Sequence, residues 1–129
     1  MRMRGIVLSI SMLMVIAESG YASEDVDRKM LNLARDRGCM LCHDFQPKRS
    51  VGGQVPPMAP SWREIAKRYK GANDAEERLI QTVLQGTGPR PGDRHWTGKV
   101  TADRMFPNTV EIKPEEARSL VHWILSLDR

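Results

Sequence analysis

Apolar residues recur along this chain at the three- and four-residue spacing of helices, and no strand-rich region interrupts them. Ser23 or Asp25 can cap a first helix running to about Arg37, with Val26, Met30, Leu33 and Ala34 on one face and Gly38 at its end. Ser61 caps and Gly71 stops a short second helix whose apolar face is Trp62, Ile65, Ala66 and Tyr69. A third begins at Asn73 or Asp74 and runs through Gln85 to Gly86, with Leu79, Ile80, Val83 and Leu84 as its stripe. Pro114 opens the last helix at the first position, which proline prefers; Glu115 and Glu116 suit its positive end, and Ala117, Leu120, Val121, Ile124 and Leu125 face inward. The pattern predicts an all-α chain of about four short helices.

Two stretches lack that periodicity. Gln46 to Pro60 is rich in glycine and proline and reads as loop. Thr87 to Lys113 carries Gly88, Pro89, Pro91, Gly92, Gly98 and Pro107, and a loop of this length in a small domain is usually functional or disordered. No repeat or low-complexity tract appears.

The N-terminus follows another logic. Arg2 and Arg4 precede the almost wholly apolar run Gly5 to Ala17, and Gly20 and Ala22 then form a small-x-small pattern. Residues 1–22 therefore read as a secretory signal peptide cut after Ala22, leaving residues 23–129 as one domain exported to the periplasm. The apolar run is shorter than the roughly 20 residues of a spanning helix, so an uncleaved anchor is the alternative and the one route to a membrane. Losing Arg2, Arg4 and Glu18 lowers the formal charge of +4 by one. A charge this small biases encounters towards acidic protein surfaces without suiting a nucleic-acid binder.

Cys39-Met40-Leu41-Cys42-His43 carries the chemistry. Two cysteines three apart with a histidine directly after the second form the C-x-x-C-H signature of c-type haem attachment, in which each thiol adds to a haem vinyl group and the imidazole binds iron. On one distorted helical turn the two sulfurs reach neighbouring vinyls while the next residue swings its ring under the porphyrin. Zinc and thiol-redox readings compete. A zinc site needs more ligands than the two cysteines of this chain supply, and a thioredoxin-like site belongs beside a βαβ pattern that is absent. With three Trp, two Tyr and two Phe the core is thin, so helices wrapped round a large flat apolar cofactor gain a surface to cover. The chain without haem is expected to fold poorly, and the Thr87–Lys113 loop to close over the haem.

These residues together resemble those of small bacterial class I cytochromes c. The resemblance runs through Gly38-Cys39-Met40-Leu41-Cys42-His43, then Ala59-Pro60-Ser61-Trp62-Arg63-Glu64-Ile65-Ala66-Lys67-Arg68-Tyr69, then Met105-Phe106-Pro107-Asn108, and a last helix ending Trp123-Ile124-Leu125. It implies the cytochrome c fold over residues 23–129, one covalently bound haem c on Cys39 and Cys42, and a low-spin iron between histidine and methionine. His43 is then the proximal ligand.

The sixth ligand is open among Met30, Met40, Met58 and Met105. Met30 belongs to the packed face of the first helix and Met40 is tethered on the proximal side; chain reach excludes neither Met58 nor Met105. Position in the family pattern favours Met105, with Met58, His95, His122 or an open site as alternatives. The chain departs from the family's Pro-Met-Pro-Pro-like run, since Arg104 precedes Met105 and Phe106 follows it, and the stretch from Trp96 to Met105 is longer than usual. By the same resemblance the Pro60 carbonyl accepts the Nδ1–H of the proximal histidine, which fixes its ring. Trp96 is either the tryptophan bonded to a haem propionate or simple packing. Trp123 is the aromatic crossing the first helix beside Ala34, Trp62 and Tyr69 are core, and His95 and His122 are surface or packing residues.

Lys48, Arg49, Arg63, Lys67, Arg68 and Lys70 form either a solvated face or a basic collar for redox protein partners with acidic docking surfaces. The resulting expectation is an exported monohaem electron carrier that is not an enzyme. The other classes are the haem subunit of a periplasmic dehydrogenase or oxidase complex, a ligand-binding haem sensor and, last, a thiol oxidoreductase.

Overall fold

The computed structural model describes residues 19–48, 55–88, 95–102, 104–108 and 110–128, the first four as backbone only. In chain order these form α1 (Ser19–Asp36), one 3-10 turn (Cys39–Leu41), α2 (Trp62–Tyr69), α3 (Ala75–Gln85) and α4 (Pro114–Leu125). The described residues contain no strand, and the fold is all-α.

α4 is the common partner: it packs against each of the other three helices. Its Ala117, Leu120, Val121, Trp123 and Ile124 are all buried, with Met30 and Ala34 of α1, Trp62, Ile65 and Ala66 of α2 and Ile80 of α3 completing the core. Burying each large side chain stabilises the fold by about 1.5–3 kcal/mol, so the fold rests most on the helix that touches all the others. Trp123 meets Trp62 edge to face at 5.4 Å, and its indole N–H donates to Asp27 of α1 at 2.7 Å. At the other end of the crossing, the Arg37 guanidinium grips Glu116 through two bonds of 2.6 and 3.0 Å.

The caps follow the sequence closely at α2. The Ser61 hydroxyl accepts from Glu64 N–H at 3.3 Å while the Glu64 carboxylate accepts from Ser61 N–H at 2.9 Å, and both bonds satisfy donors that a helix start leaves unpaired. Two expectations for α1 are corrected. The chain is already helical at Ser19, the first described residue, so Ser23 and Asp25 lie inside the helix rather than at its cap. Val26, expected on the buried face, is 48% exposed. The face turned to α4 runs through Asp27, Met30 and Ala34, at helical spacing, and Val26 lies to its side. The apolar run Gly5–Ala17 falls outside the described residues, among which no helix is long and apolar enough to cross a membrane.

Candidate functional site

Gly38 turns the chain out of α1. Its φ of 76° lies in the left-handed region that costs glycine nothing, and its N–H closes on the Arg35 carbonyl at 3.0 Å. The following residues wind into one tight turn: the N–H groups of Cys42 and His43 both donate to the Cys39 carbonyl, at 3.3 and 3.0 Å. Neither thiol is in a disulfide, with Cys39 half-buried and Cys42 exposed. α2 is tied to the same turn, since Trp62 N–H donates to the Asp44 carbonyl at 3.0 Å.

A cavity of about 550 Å³ opens beside this turn. Cys39, Cys42, His43, Pro60, Trp96 and Met105 all line it, so residues spread over more than half the chain meet in one place. Its volume lies within the roughly 300–1,000 Å³ of small-molecule and cofactor sites. Its floor is the apolar face of α2 and α4, including Ile65, Leu120, Val121 and Ile124.

The donor groups suit an iron porphyrin. His43 Nδ1–H donates to the Pro60 carbonyl at 2.8 Å, which fixes the ring and leaves Nε2 as the nitrogen available to a metal. Burial pushes the His43 pKa below its ordinary value, although the Pro60 bond works against this, so the imidazole keeps its lone pair at neutral pH. Its ring stacks on Trp62 at 6.4 Å between centroids. Burial pushes the Cys39 thiol up, opposed by the Asn108 amide at its sulfur.

Of the four methionines after residue 22, Met30 is in the core and Met40 packs against it, while Met58 and Met105 line the cavity. Met58 is 53% exposed at the rim. The long loop closes there: Thr101 and Ala102 N–H groups donate to the carbonyls of Pro57 and Met58 at 2.9 and 3.0 Å. Trp96 lies under the Arg68 guanidinium, 5.0 Å from the ring centroid. His95 shares a 2.6 Å hydrogen bond with the Tyr69 hydroxyl at the cavity wall, whereas His122 is exposed on α4, near Glu76 and away from the cavity.

The basic residues are largely engaged within the chain. Lys48 pairs with Asp44 and Lys70 with Asp128, Arg63 lies over Phe45, and Arg68 covers Trp96; Arg49 falls outside the described residues.

Two residues that helical periodicity cannot flag also shape the site. Asn108 donates to the Arg37 carbonyl at 2.9 Å, holding the loop to the end of α1. Thr87 binds the backbone of Met105. Their available signals were a turn-forming Pro107-Asn108 pair and a hydroxyl next to the helix-ending Gly86.

Comparison with known proteins agrees with this geometry. The family model described as Cytochrome c matches residues 32–128. The chain is 34% identical over 95 residues to cytochrome c2 of Rhodocyclus tenuis, covering 74% of this chain and 88% of that protein. It is also 34% identical over 95 residues to cytochrome c-552 of Hydrogenobacter thermophilus, covering 74% of this chain and 78% of the relative. Among solved structures, the class 1 cytochrome MtoD of Sideroxydans lithotrophicus superposes with a TM-score of 0.55 at 29% identity, over 81% of this chain and 98% of its own.

Proposed function

The chain belongs to the cytochrome c family, and on that premise we propose that it carries single electrons on one haem c joined to Cys39 and Cys42 and ligated by His43 and Met105. The observation that carries this reading is the His43 imidazole, aimed by Pro60 and kept neutral by burial, in a cavity that Met105 also lines. When bound, the haem supplies an Fe(III)/Fe(II) couple.

This chain's residues supply position and surroundings. Cys39 and Cys42 would hold the group so that it is not lost during repeated docking, Pro60 orients His43, and His43 and the thioether of Met105 would ligate the iron and leave exogenous ligands no place on it. Trp96, covered by Arg68, offers its indole N–H to a propionate. No substrate bond is broken. The partners are redox proteins that approach the cavity, whose lining includes the exposed Arg104, and the basic charge favours acidic surfaces. Residues 1–22 direct export, and the domain from residue 23 onwards works in the periplasm.

The test is the absorption spectrum of wild type, Met105→Ala and Met58→Ala, each expressed with haem-maturation machinery. A covalently bound low-spin haem that ignores carbon monoxide, with the far-red methionine–iron band lost only in Met105→Ala, supports the reading. Loss of that band in Met58→Ala alone transfers the ligand role to Met58. Ready carbon monoxide binding by the wild type favours a ligand-sensing haem.

A further inference from the structure

Met105 stands in a stretch without helix or strand, so no regular ladder fixes its backbone. Both of its main-chain polar groups are instead bound by one residue. Met105 N–H donates to Thr87 Oγ1 at 2.8 Å, and Thr87 N–H donates to the Met105 carbonyl at 2.8 Å, closing a two-bond ring between the end of α3 and the loop. Thr87 itself lines the cavity.

The ring is anchored to the packed part of the molecule. Thr87 follows Gly86, whose N–H finishes α3 by donating to the Thr82 carbonyl at 2.8 Å, and α3 packs on α4. Gly86 also sets how closely the loop approaches. A Cβ built there would lie 2.7 Å from the Met105 carbonyl oxygen and 2.8 Å from Pro107 N, and the φ of +75° already disfavours a side chain. Thr87 is β-branched and stiff at χ1, so its hydroxyl is presented with little rotational freedom.

We propose that Thr87 is a positioning residue for Met105, its hydroxyl holding the methionine backbone where the thioether stays on the iron. The inference rests on Met105 being the sixth ligand. Removing the hydroxyl leaves the half-buried Met105 N–H without its acceptor, which raises the fraction of time the sixth position is open by about tenfold. A residue that merely stabilises the fold lowers the melting temperature without changing the iron's ligation in the folded protein.

The experiment compares holoprotein of wild type, Thr87→Val, Thr87→Ser and Met105→Ala by far-red absorbance of the ferric form and by the rate of carbon monoxide binding to the ferrous form, well below their melting temperatures. Thr87→Val keeps the shape of threonine without the acceptor; it is expected to weaken the band and take up carbon monoxide about tenfold faster, with Thr87→Ser restored to wild type. Thr87→Ala, which adds no bulk, serves the same comparison if Thr87→Val does not retain haem. If Met105→Ala loses the band while the Thr87 variants match wild type, the positioning role is overturned and the ligand reading survives. If Met105→Ala keeps the band, both fall. Equal weakening in Thr87→Ser and Thr87→Val overturns the role of the hydroxyl.

Discussion

His43 and Met105 face one cavity and are held there by different physics. His43 sits on a turn closed by its own backbone bonds and backed by Trp62 and Trp123, which are only 2% and 3% exposed. Met105 lies outside the buried core of the described residues: its neighbour Phe106 is 59% exposed, and two hydrogen bonds with Thr87 and a close passage at Gly86 hold its backbone. Emptying a buried tryptophan site costs about 3–5 kcal/mol, whereas one hydrogen bond contributes about 0.5–1.5 kcal/mol net. The histidine wall therefore moves only with the whole fold. The methionine wall can yield while the helices stay intact.

The strongest challenge to that contrast is Trp123→Ala, which removes a buried ring outside the cavity lining. Denaturant unfolding should show a loss of about 3–5 kcal/mol, with the far-red band unchanged in whatever remains folded. A band that weakens in parallel with stability would mean that the two walls are one unit. Gly86→Ala should do the reverse. The added methyl meets Met105 and Pro107 backbone and the positive φ disfavours it, so it should cost about 1–3 kcal/mol and displace the loop, abolishing the band while far-ultraviolet dichroism keeps its helical signal. A retained band would show that the loop tolerates displacement.

The smallest expected effect lies on the scaffold side, at Arg37–Glu116. The bond from Arg37 holds the Glu116 carboxyl below the usual carboxylate range. Because the native pKa lies below the unfolded one, the pair's contribution is complete above the unfolded carboxylate pKa and disappears as pH falls through the native value. Glu116→Gln should thus be less stable than wild type near neutrality, and the two should converge in acid. A constant difference across the pH range would rule out this pair as the source, and the far-red band should be the same in both proteins throughout.

Much of the scaffold was legible in the sequence because helices announce themselves locally. Ser61 with Glu64, Pro114 at its first helical position and Gly71 and Gly86 at φ of 75° mark boundaries within a few residues of the groups they serve. The meeting of Cys39, Cys42 and His43 at one cavity was equally plain, since the motif occupies five consecutive residues. The Thr87–Met105 ring was not, because it joins residues 18 apart through one hydroxyl and main-chain groups, which leave no periodic signal. Asn108 reaches Arg37 across 71 positions for the same reason. Val26 misled because an apolar residue on an amphipathic helix can lie beside the contact stripe, and only the angle at which α4 crosses α1 decides which.

Among the described residues α4 is the helix furthest along the chain, and it is the one that α1, α2 and α3 all pack against. Without Pro114–Leu125, Ala34, Trp62 and Ile80 lose the helix they share in the core, and the contact between α1 and α4 draws together nearly the whole length of the domain. The turn that carries Cys39 and Cys42 is thus closed by local bonds, whereas the part of the cavity wall that α4 supplies depends on contacts across the length of the domain.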